Sequence, residues 1–249
     1  MSAGIAFAPF LSPAALLAAF RPLREHLERE LGRAVEMVSA KDFRQLLEET
    51  RRADHAVVQL PAHLARLAMV DWGWRQVAGT LDQLAVLLLV KTGSPVADAA
   101  ALRGRRVGML DPLSLTATVG RRWLEQQHLE QDVQVLAVPS INSGLISLDR
   151  GEIDMLVAGS TQLATLPPTT PRTERVFATI GGIPGPVYIA RPALADDELQ
   201  ALRAAMGRFR PDPARETSAA NAALRLLDET RLAGLDPFAA IARRAFAGR

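Results

Sequence analysis

Three hydroxyl side chains stand close together where a strand is predicted to end and a helix to begin. Ser114, Thr116 and Thr118 follow the apolar run 106–110 and open an amphipathic segment. Backbone N–H groups in the first turn of a helix have no intrahelical partner and attract anions. The pattern therefore predicts a site for an anion or an oxyacid. It also fits a simpler arrangement, in which Ser114 only caps the helix and the other hydroxyls face solvent.

Four other strand-to-helix junctions carry polar or aromatic side chains. Asn142 is placed to cap its helix, to contact a ligand, or to do both. His63 can donate a hydrogen bond to a ligand, although a lone histidine in a first helical turn is as often a surface residue. Phe10 can form an apolar wall or belong to the core. Lys41 can neutralise an anion or simply be solvated.

The motifs of common enzyme classes are missing from the sequence. It contains no His-Glu-x-x-His zinc pair, no Walker-type phosphate loop and no Gly-x-Ser-x-Gly elbow. The four histidines lack the spacing of metal ligands. Without cysteine there are no disulfides, thiolate nucleophiles or cysteine-bound metals. We therefore expect no catalytic residue, no metal and no cofactor.

Composition excludes further classes of protein. The 29 basic and 27 acidic residues leave a net charge of +2, and no arginine cluster is interleaved with aromatics, so we expect no nucleic-acid partner. No apolar run reaches the roughly 18 to 20 residues that cross a bilayer. The chain begins Met-Ser-Ala-Gly and lacks a signal-peptide pattern, so either it is cytosolic or an export signal has been removed.

Short apolar runs alternate with longer helical patterns, which predicts an α/β protein built from parallel βα units. One set has strands at 4–8, 35–38, 56–58 and 75–78, and a second set has strands at 106–110, 133–138 and 153–157. The run 84–90 leaves the first set. The proline-rich residues 167–171 predict a surface loop, 181–186 a return crossover, and 196–249 helices throughout.

Six short motifs occur in the order found in phosphate-, phosphite- and phosphonate-binding proteins of bacterial ABC importers. Residues 22–32 resemble the "PL…L…LG" helix that opens those proteins, and residues 40–43 and 54–63 resemble "A-x-D-Y" and "D-x-A-x-x-G-P-x-x-Y". Residues 102–107, 111–117 and 151–154 resemble "L-x-G-K-x-V", "D-P-x-S-T-S-G" and "G-E-V-D". The resemblance covers residues 4 to 190.

This resemblance implies a type II periplasmic-binding fold. Such a fold has two α/β lobes, each a mixed, mainly parallel sheet flanked by helices, with the ligand in a cleft between them. We assign residues 1–82 and 187–249 to lobe 1 and residues 83–186 to lobe 2. Hinge crossovers are then expected near 80–84 and 182–187, and hinge closure would trap the ligand.

The resemblance also suggests a ligand site. The Ser-Thr-Ser helix start that holds the oxyanion in the family falls on Ser114, Leu115 and Thr116, so leucine replaces one hydroxyl. The family tyrosine falls on His63, and its Gly-Pro pair falls on 59–60. An acidic residue is replaced near 159–160, which argues against an aminophosphonate ligand. The predicted ligand-binding residues are Pro9, Phe10, Lys41, Gln59, His63, Ser114, Leu115, Thr116, Ala117, Asn142, Ser143 and Ser160.

The expected function is capture of a small oxyanion, such as phosphate, phosphite or a phosphonate, for an ABC importer. The expected protein is a periplasmic monomer that docks on an ABC permease. A sensory domain or partner of a histidine kinase is the alternative. A fold-related enzyme of cofactor-precursor biosynthesis is a third hypothesis, for which His63 is the only candidate catalytic residue.

Overall fold

The computed structural model describes residues 3–9, 13–80, 83–164, 166, 169–170, 172–214 and 220–248. Strands are β1 (Ala3–Phe7), β2 (Val35–Ser39), β3 (Val57–Leu60), β4 (Arg75–Thr80), β5 (Gln83–Lys91), β6 (Arg106–Met109), β7 (Gln134–Ala137), β8 (Met155–Gly159), β9 (Glu174–Pro184), β10 (Val187–Ala190) and β11 (Leu224–Arg225). Helices are α1 (Pro13–Leu31), α2 (Phe43–Arg52), α3 (Ala62–Trp72), α4 (Leu115–Gln126), α5 (Ile141–Asp149), α6 (Ser160–Ala164), α7 (Asp196–Arg208), α8 (Glu229–Ala233) and α9 (Asp236–Ala247).

These elements form two compact units. Unit 1 comprises Met1–Asp82 and Pro184–Phe246, and unit 2 comprises Gln83–Ile183 and Ala247–Arg249. Each unit contains one mixed sheet. No helix in the described part of the chain is long and apolar enough to cross a membrane.

The sheet of unit 1 has the strand order β11-β4-β10-β3-β1-β2. Strand β1 lies parallel to β2 and β3, whereas β10 runs antiparallel to β3 and β4. All four residues of β3 are buried, as expected for a central strand covered on both faces. An aromatic cluster lies in the core of this unit: the Phe7 ring is 4.5 Å from Phe20 and 6.2 Å, edge-on, from Tyr188.

The sheet of unit 2 has the order β7-β6-β8-β5-β9. Strand β6 lies parallel to β7 and β8, and β5 is antiparallel to β8. Helix α5 packs closely on β8 because Gly144 has no side chain: a Cβ there would lie 2.5 Å from Leu156 Cδ1. The mixed sheets flanked by helices that the family resemblance implies are present in both units.

One prediction about the second half of the chain is wrong, and another stays a prediction. Residues 181–184 form the end of the long strand β9, with Gly182 at a φ of 77°, and the division between the two units falls at 183–184, within the segment for which a return crossover is predicted. The segment after α7 is not helical throughout, since Leu224 and Arg225 pair with Thr80 and Gly79 of β4. The predicted loop prolines 167, 168 and 171 lie outside the described residues.

An ion pair between Arg106 and Asp154 links the amino ends of β6 and β8. Asp154 accepts hydrogen bonds from the Arg106 backbone N at 2.9 Å and from Arg106 Nε at 3.1 Å, and Arg105 lies nearby. Partial burial raises the pKa of Asp154, but the hydrogen bonds and charges of the two arginines outweigh burial. The net result is a pKa below its usual value of 3.8. Asp154 therefore has a structural role at the amino ends of these two strands.

We expect Asp154→Asn to lower the free energy of unfolding by about 1 kcal/mol at neutral pH, since a charge-assisted hydrogen bond becomes a neutral one. Because the folded-state pKa is depressed, this contribution is present above the unfolded-state value of 3.8 and is lost as the pH falls through the lower folded-state value. Urea unfolding at several pH values measures it. Asp132→Asn, in an exposed pair with Arg103, should change stability by less than about 0.5 kcal/mol. A pH-independent difference for Asp154→Asn would contradict this account.

Candidate functional site

In unit 2, the chain leaves the neighbouring parallel strands β6 and β8 toward opposite sides of the sheet. From β6 the chain continues to β7 on one side, and from β8 it continues to β9 on the other. Such a switch point leaves a crevice at the carboxyl ends of the strands, where α/β proteins bind ligands. Ser114 and Thr116 follow β6, while Gly159 and Ser160 stand at the end of β8. The topology therefore brings these two predicted segments to the same edge.

Ser114 and Thr116 form a nearly buried hydroxyl pair at the start of α4. Ser114 is the N-cap: its Oγ accepts the Ala117 N–H at 3.2 Å. The same Oγ lies 3.2 Å from Thr116 Oγ1, and the two residues are only 7% and 9% exposed. An N-cap serine accepts one hydrogen bond and retains its own O–H for another partner. Capping and ligand contact are thus compatible in Ser114.

The remaining residues of this helix start have other roles. Thr118 is fully buried, and its hydroxyl donates to the Ser114 carbonyl oxygen at 2.9 Å, so the alternative in which it faces solvent is wrong. The N–H of Ala117 is used by the cap. Leu115 is half-buried and supplies backbone N–H but no polar side chain. Asp111 Oδ1 accepts the Leu113 N–H at 2.7 Å and shapes the turn into the helix.

The start of α5 lies one strand further along the same edge, after β7. Ser140 is the cap here, with its Oγ 3.1 Å from the Ser143 N and 2.9 Å from the Ser143 Oγ. Asn142 therefore does not cap the helix. Its Oδ1 instead accepts a hydrogen bond from the buried Thr170 hydroxyl at 2.8 Å. Asn142 thus fixes the segment that follows α6.

At the end of β8, Ser160 is the half-buried first residue of α6. The Gly159 N–H donates to Gln162 Oε1 at 3.0 Å. Sequence reasoning missed Gln162, although a glutamine in the third position of a helix commonly reaches back to the N–H before the helix.

The electrostatics of this edge are unusual for an anion site. The segments 111–120, 139–145 and 155–164 contain a single charged residue, Asp111, and no Lys, Arg or His. An anion would therefore be held by hydroxyls, backbone N–H groups and the positive end of the α4 dipole. The nearest fixed ion pair described above, Arg106 with Asp154, stands at the opposite ends of the strands.

Unit 1 has its own switch point, between β1 and β3. The chain leaves β1 toward β2 and β3 toward β4, on opposite sides. The Ala8 N–H donates to the Gln59 carbonyl oxygen at 3.2 Å and ties the two strand ends together. Pro9 is half-buried beside them, and Lys41, after the neighbouring strand β2, is exposed. Phe10 lies outside the described residues.

Gln59 and Tyr188 form a completely buried polar pair in unit 1. Gln59 Nε2 donates to the Tyr188 hydroxyl oxygen at 3.4 Å, and Gln59 Oε1 has no hydrogen-bond partner among the described residues. Burial raises the pKa of Tyr188 well above its usual value, and the Gln59 amide lowers it by less. His63, in the first turn of α3, is also fully buried, so the surface-residue alternative for it is wrong.

We expect Gln59→Leu and Tyr188→Phe each to destabilise the protein by about 1–3 kcal/mol, because each leaves a buried polar group without its partner. The double variant removes both polar groups and should lose less than the sum of the two. Denaturant unfolding of the four proteins measures this coupling. Strictly additive losses would show that the two side chains do not interact.

No cluster of three or more His, Cys, Asp or Glu residues able to hold a metal ion occurs in the described part of the chain. Apart from the Asp111 carboxylate and the Lys41 ammonium group, the polar side chains described at the two switch points carry hydroxyls, amides and one imidazole. They can donate hydrogen bonds to a ligand. The sequence did not reveal Tyr188 as a partner of Gln59, although a lone tyrosine within an apolar strand usually needs a hydrogen-bond partner.

Comparison with known proteins is consistent with these sites. A family model described as "ABC transporter, phosphonate, periplasmic substrate-binding protein" matches residues 5–240. No curated protein sequence matches the chain significantly.

Solved structures resemble the chain over nearly its whole length. XAC2383 from Xanthomonas citri, bound to chloride, has a TM-score of 0.80 at 19% identity, with 99% of each chain covered. PhnD1 from Prochlorococcus marinus, in complex with methylphosphonate, has a TM-score of 0.75 at 11% identity, with 97% of each chain covered. A binding protein component of an ABC phosphonate transporter from Pseudomonas aeruginosa has a TM-score of 0.73 at 15% identity, covering 97% of this chain and 86% of that one. The predicted periplasmic-binding fold is confirmed.

Proposed function

The chain belongs to the family of periplasmic substrate-binding proteins of phosphonate ABC transporters, and we propose that it captures its oxyanion with the hydroxyl pair at the start of α4. Members of this family are binding proteins and not enzymes, so the hypothesis of a biosynthetic enzyme is discarded. The protein has a periplasmic solute-binding role for small anions.

One observation carries the proposed site. Ser114 Oγ and Thr116 Oγ1 lie 3.2 Å apart in the first turn of a 12-residue helix, at the switch point of a parallel sheet. Two hydroxyls and uncapped first-turn N–H groups match the several oxygens of a tetrahedral oxyanion. A half-buried Ser160 at the end of the adjacent strand is the third hydroxyl that we assign to this site. Asn142 and Ser143 belong to its outer edge.

The related structures support an anionic ligand. PhnD1 was solved with methylphosphonate and XAC2383 with chloride or ATP. We propose phosphate, phosphite or a phosphonate as the ligand class and an ABC permease as the partner that receives it. An amine-bearing phosphonate should bind more weakly than methylphosphonate, because the three segments of this edge carry no carboxylate other than Asp111 to receive the ammonium group.

A thermal-shift screen tests this proposal. The compounds are phosphate, phosphite, methylphosphonate, 2-aminoethylphosphonate, sulfate, methanesulfonate and acetate, each at equal ionic strength. A ligand that binds only the folded state raises the melting temperature, because it stabilises that state by a free energy that grows with the logarithm of 1 + [ligand]/Kd. We expect at least one oxyanion to raise it and acetate to have no effect. The proposal would be overturned if acetate alone raised the melting temperature, or if no oxyanion raised it.

A further inference from the structure

The oxyanion site proposed at the start of α4 contains little positive charge to balance its ligand. The segments 111–120, 139–145 and 155–164 include no Lys, Arg or His, and their one charged residue, Asp111, is negative. Asp111 is exposed, and its Oδ1 accepts the Leu113 N–H at 2.7 Å. Positive potential from these segments must therefore come from helix dipoles and not from side chains.

The strands against which α4 packs carry their charged residues at the end remote from the hydroxyl pair. Arg106 is the first residue of β6 and pairs with Asp154, just before β8. Lys91 is the last residue of β5, which runs antiparallel to β8, and it pairs with Asp149. The edge strand β9 has its charges in its first two residues, which adjoin the Lys91 end of β5. The other ends of these four strands contain no ionisable side chain.

The helices of this edge show the same distribution of charge. On α4 the charged residues Arg121, Arg122 and Glu125 lie in the second half, away from the helix start. On α5 the one charged residue is Asp149, at the end of the helix. Helix α6 contains no ionisable residue. No charged side chain of these helices therefore stands beside the hydroxyl pair.

Two helix starts supply the positive potential at this edge. Helices α4 and α5 have 12 and 9 residues, and each begins with a serine cap after a parallel strand of the sheet. A helix N-terminus is equivalent to about half of a positive elementary charge. Together the two helices match about one negative charge on a ligand. A second negative charge has no counterpart in these elements.

The cost of taking an ion out of water also favours the smaller charge. This Born cost grows with the square of the charge, so it is about four times as large for a dianion as for a monoanion. The attraction to fixed dipoles is only about twice as large. Ser114 and Thr116 are 7% and 9% exposed, so ligand oxygens that contact them leave water. Their hydroxyls can accept as well as donate, and an oxygen that retains a proton therefore finds a partner here.

We propose that the site selects singly charged oxyanions over doubly charged ones. The favoured class comprises sulfonates, phosphonate monoesters and singly protonated phosphonates. Sulfate and fully ionised phosphonates are disfavoured. This inference rests on the proposed oxyanion-binding function and specifies the charge of its ligand.

Calorimetric titration tests the inference with methanesulfonate, sulfate and methylphosphonate, at one pH below and one above the second ionisation of methylphosphonate. We expect methanesulfonate and singly protonated methylphosphonate to bind more than tenfold more tightly than sulfate and fully ionised methylphosphonate. Methanesulfonate and sulfate keep their charge in this range, so each should bind equally at the two pH values. A pH dependence shared by methanesulfonate would place the effect in the protein and overturn the inference.

A variant that changes the charge of the site gives a second test. Asp111→Asn keeps an oxygen for the Leu113 N–H and removes the negative charge. Because Coulomb energy is proportional to the ligand charge, the factor by which the affinity rises for sulfate should be the square of the factor for methanesulfonate. Asp132→Asn, in an exposed pair with Arg103, makes the same change of charge elsewhere and should bind both ligands as wild type does. Equal factors for the two ligands in Asp111→Asn would contradict the electrostatic cause.

The remaining outcomes separate this inference from the proposed function. Dianions that bind as tightly as the singly charged ligands would overturn the charge selection and leave the proposed function standing. Tight dianion binding that is lost in Lys41→Gln would also overturn it, because the exposed Lys41 of unit 1 would then be the counter-charge. Binding of no oxyanion in any charge state would overturn both proposals.

Discussion

Replacing Ser114 and Thr116 together by alanine is expected to weaken oxyanion binding by roughly a hundredfold. Each hydroxyl can donate one hydrogen bond to a charged ligand, and such bonds contribute about 1.5 kcal/mol or more apiece. The two losses together are about 3 kcal/mol, or two powers of ten in Kd. Titration calorimetry with the tightest oxyanion from the thermal-shift screen measures the change.

The control for this variant must separate loss of ligand contact from loss of a helix cap. Ser114→Ala also removes the hydrogen bond to the Ala117 N–H and should cost about 1 kcal/mol of stability. Asp228 caps α8 through the Arg231 N–H in unit 1, so Asp228→Ala removes a cap without touching the proposed site. It should lower the melting temperature and leave the Kd unchanged. Unaltered binding in the Ser114/Thr116 variant would show that the hydroxyl pair does not hold the ligand.

Gly144→Val is expected to lower the free energy of unfolding by about 3 kcal/mol. A Cβ at this position lies 2.5 Å from Leu156 Cδ1 and 3.1 Å from its Cδ2, and Leu156, the second residue of β8, is completely buried. Helix α5 or the leucine must therefore shift, and each is held by the core around it. Urea unfolding of the wild type and the variant gives the loss directly.

The matched control is the same substitution at Gly207, near the end of α7. No atom lies within 4 Å of a Cβ built there, so only helix propensity changes, and the effect should stay within about 0.5 kcal/mol. Equal losses at the two positions would mean that the close approach of α5 to the sheet is not what makes Gly144 necessary.

Sequence patterns predicted the parts of the fold that are encoded locally. Strand β6, the turn at Asp111 and the helix start at Ser114 are consecutive, so hydrophobic periodicity and capping residues locate them. Strand β11 was missed because it is only two residues long and exists by pairing with β4, more than 140 residues earlier. In β9 the adjacent glycines 181 and 182 resemble a turn unless the neighbouring strand is known.

The candidate site was predictable only in part, for the same reason. The spacing of Ser114 and Thr116 after a predicted strand was enough to predict a helix start with two hydroxyls. Gln162 and Thr116 both lie near Gly159, although their helices follow different strands. The partnership of Gln59 with Tyr188 spans 129 residues. The ligand contacts of Pro9, Lys41 and the other predicted site residues, together with the domain boundaries and hinge crossovers, stay predictions.

The scarcity of charge beside the hydroxyl pair has a consequence for the conditions in which the protein works. Arginine or lysine sites attract anions by a field that mobile ions screen over about 10 Å at moderate ionic strength. Hydrogen bonds from nearly buried hydroxyls and helix N–H groups act only at contact. Affinity at the Ser114–Thr116 site should therefore change little between dilute and saline surroundings, so the protein would continue to capture a scarce solute when the salt content of its environment varies.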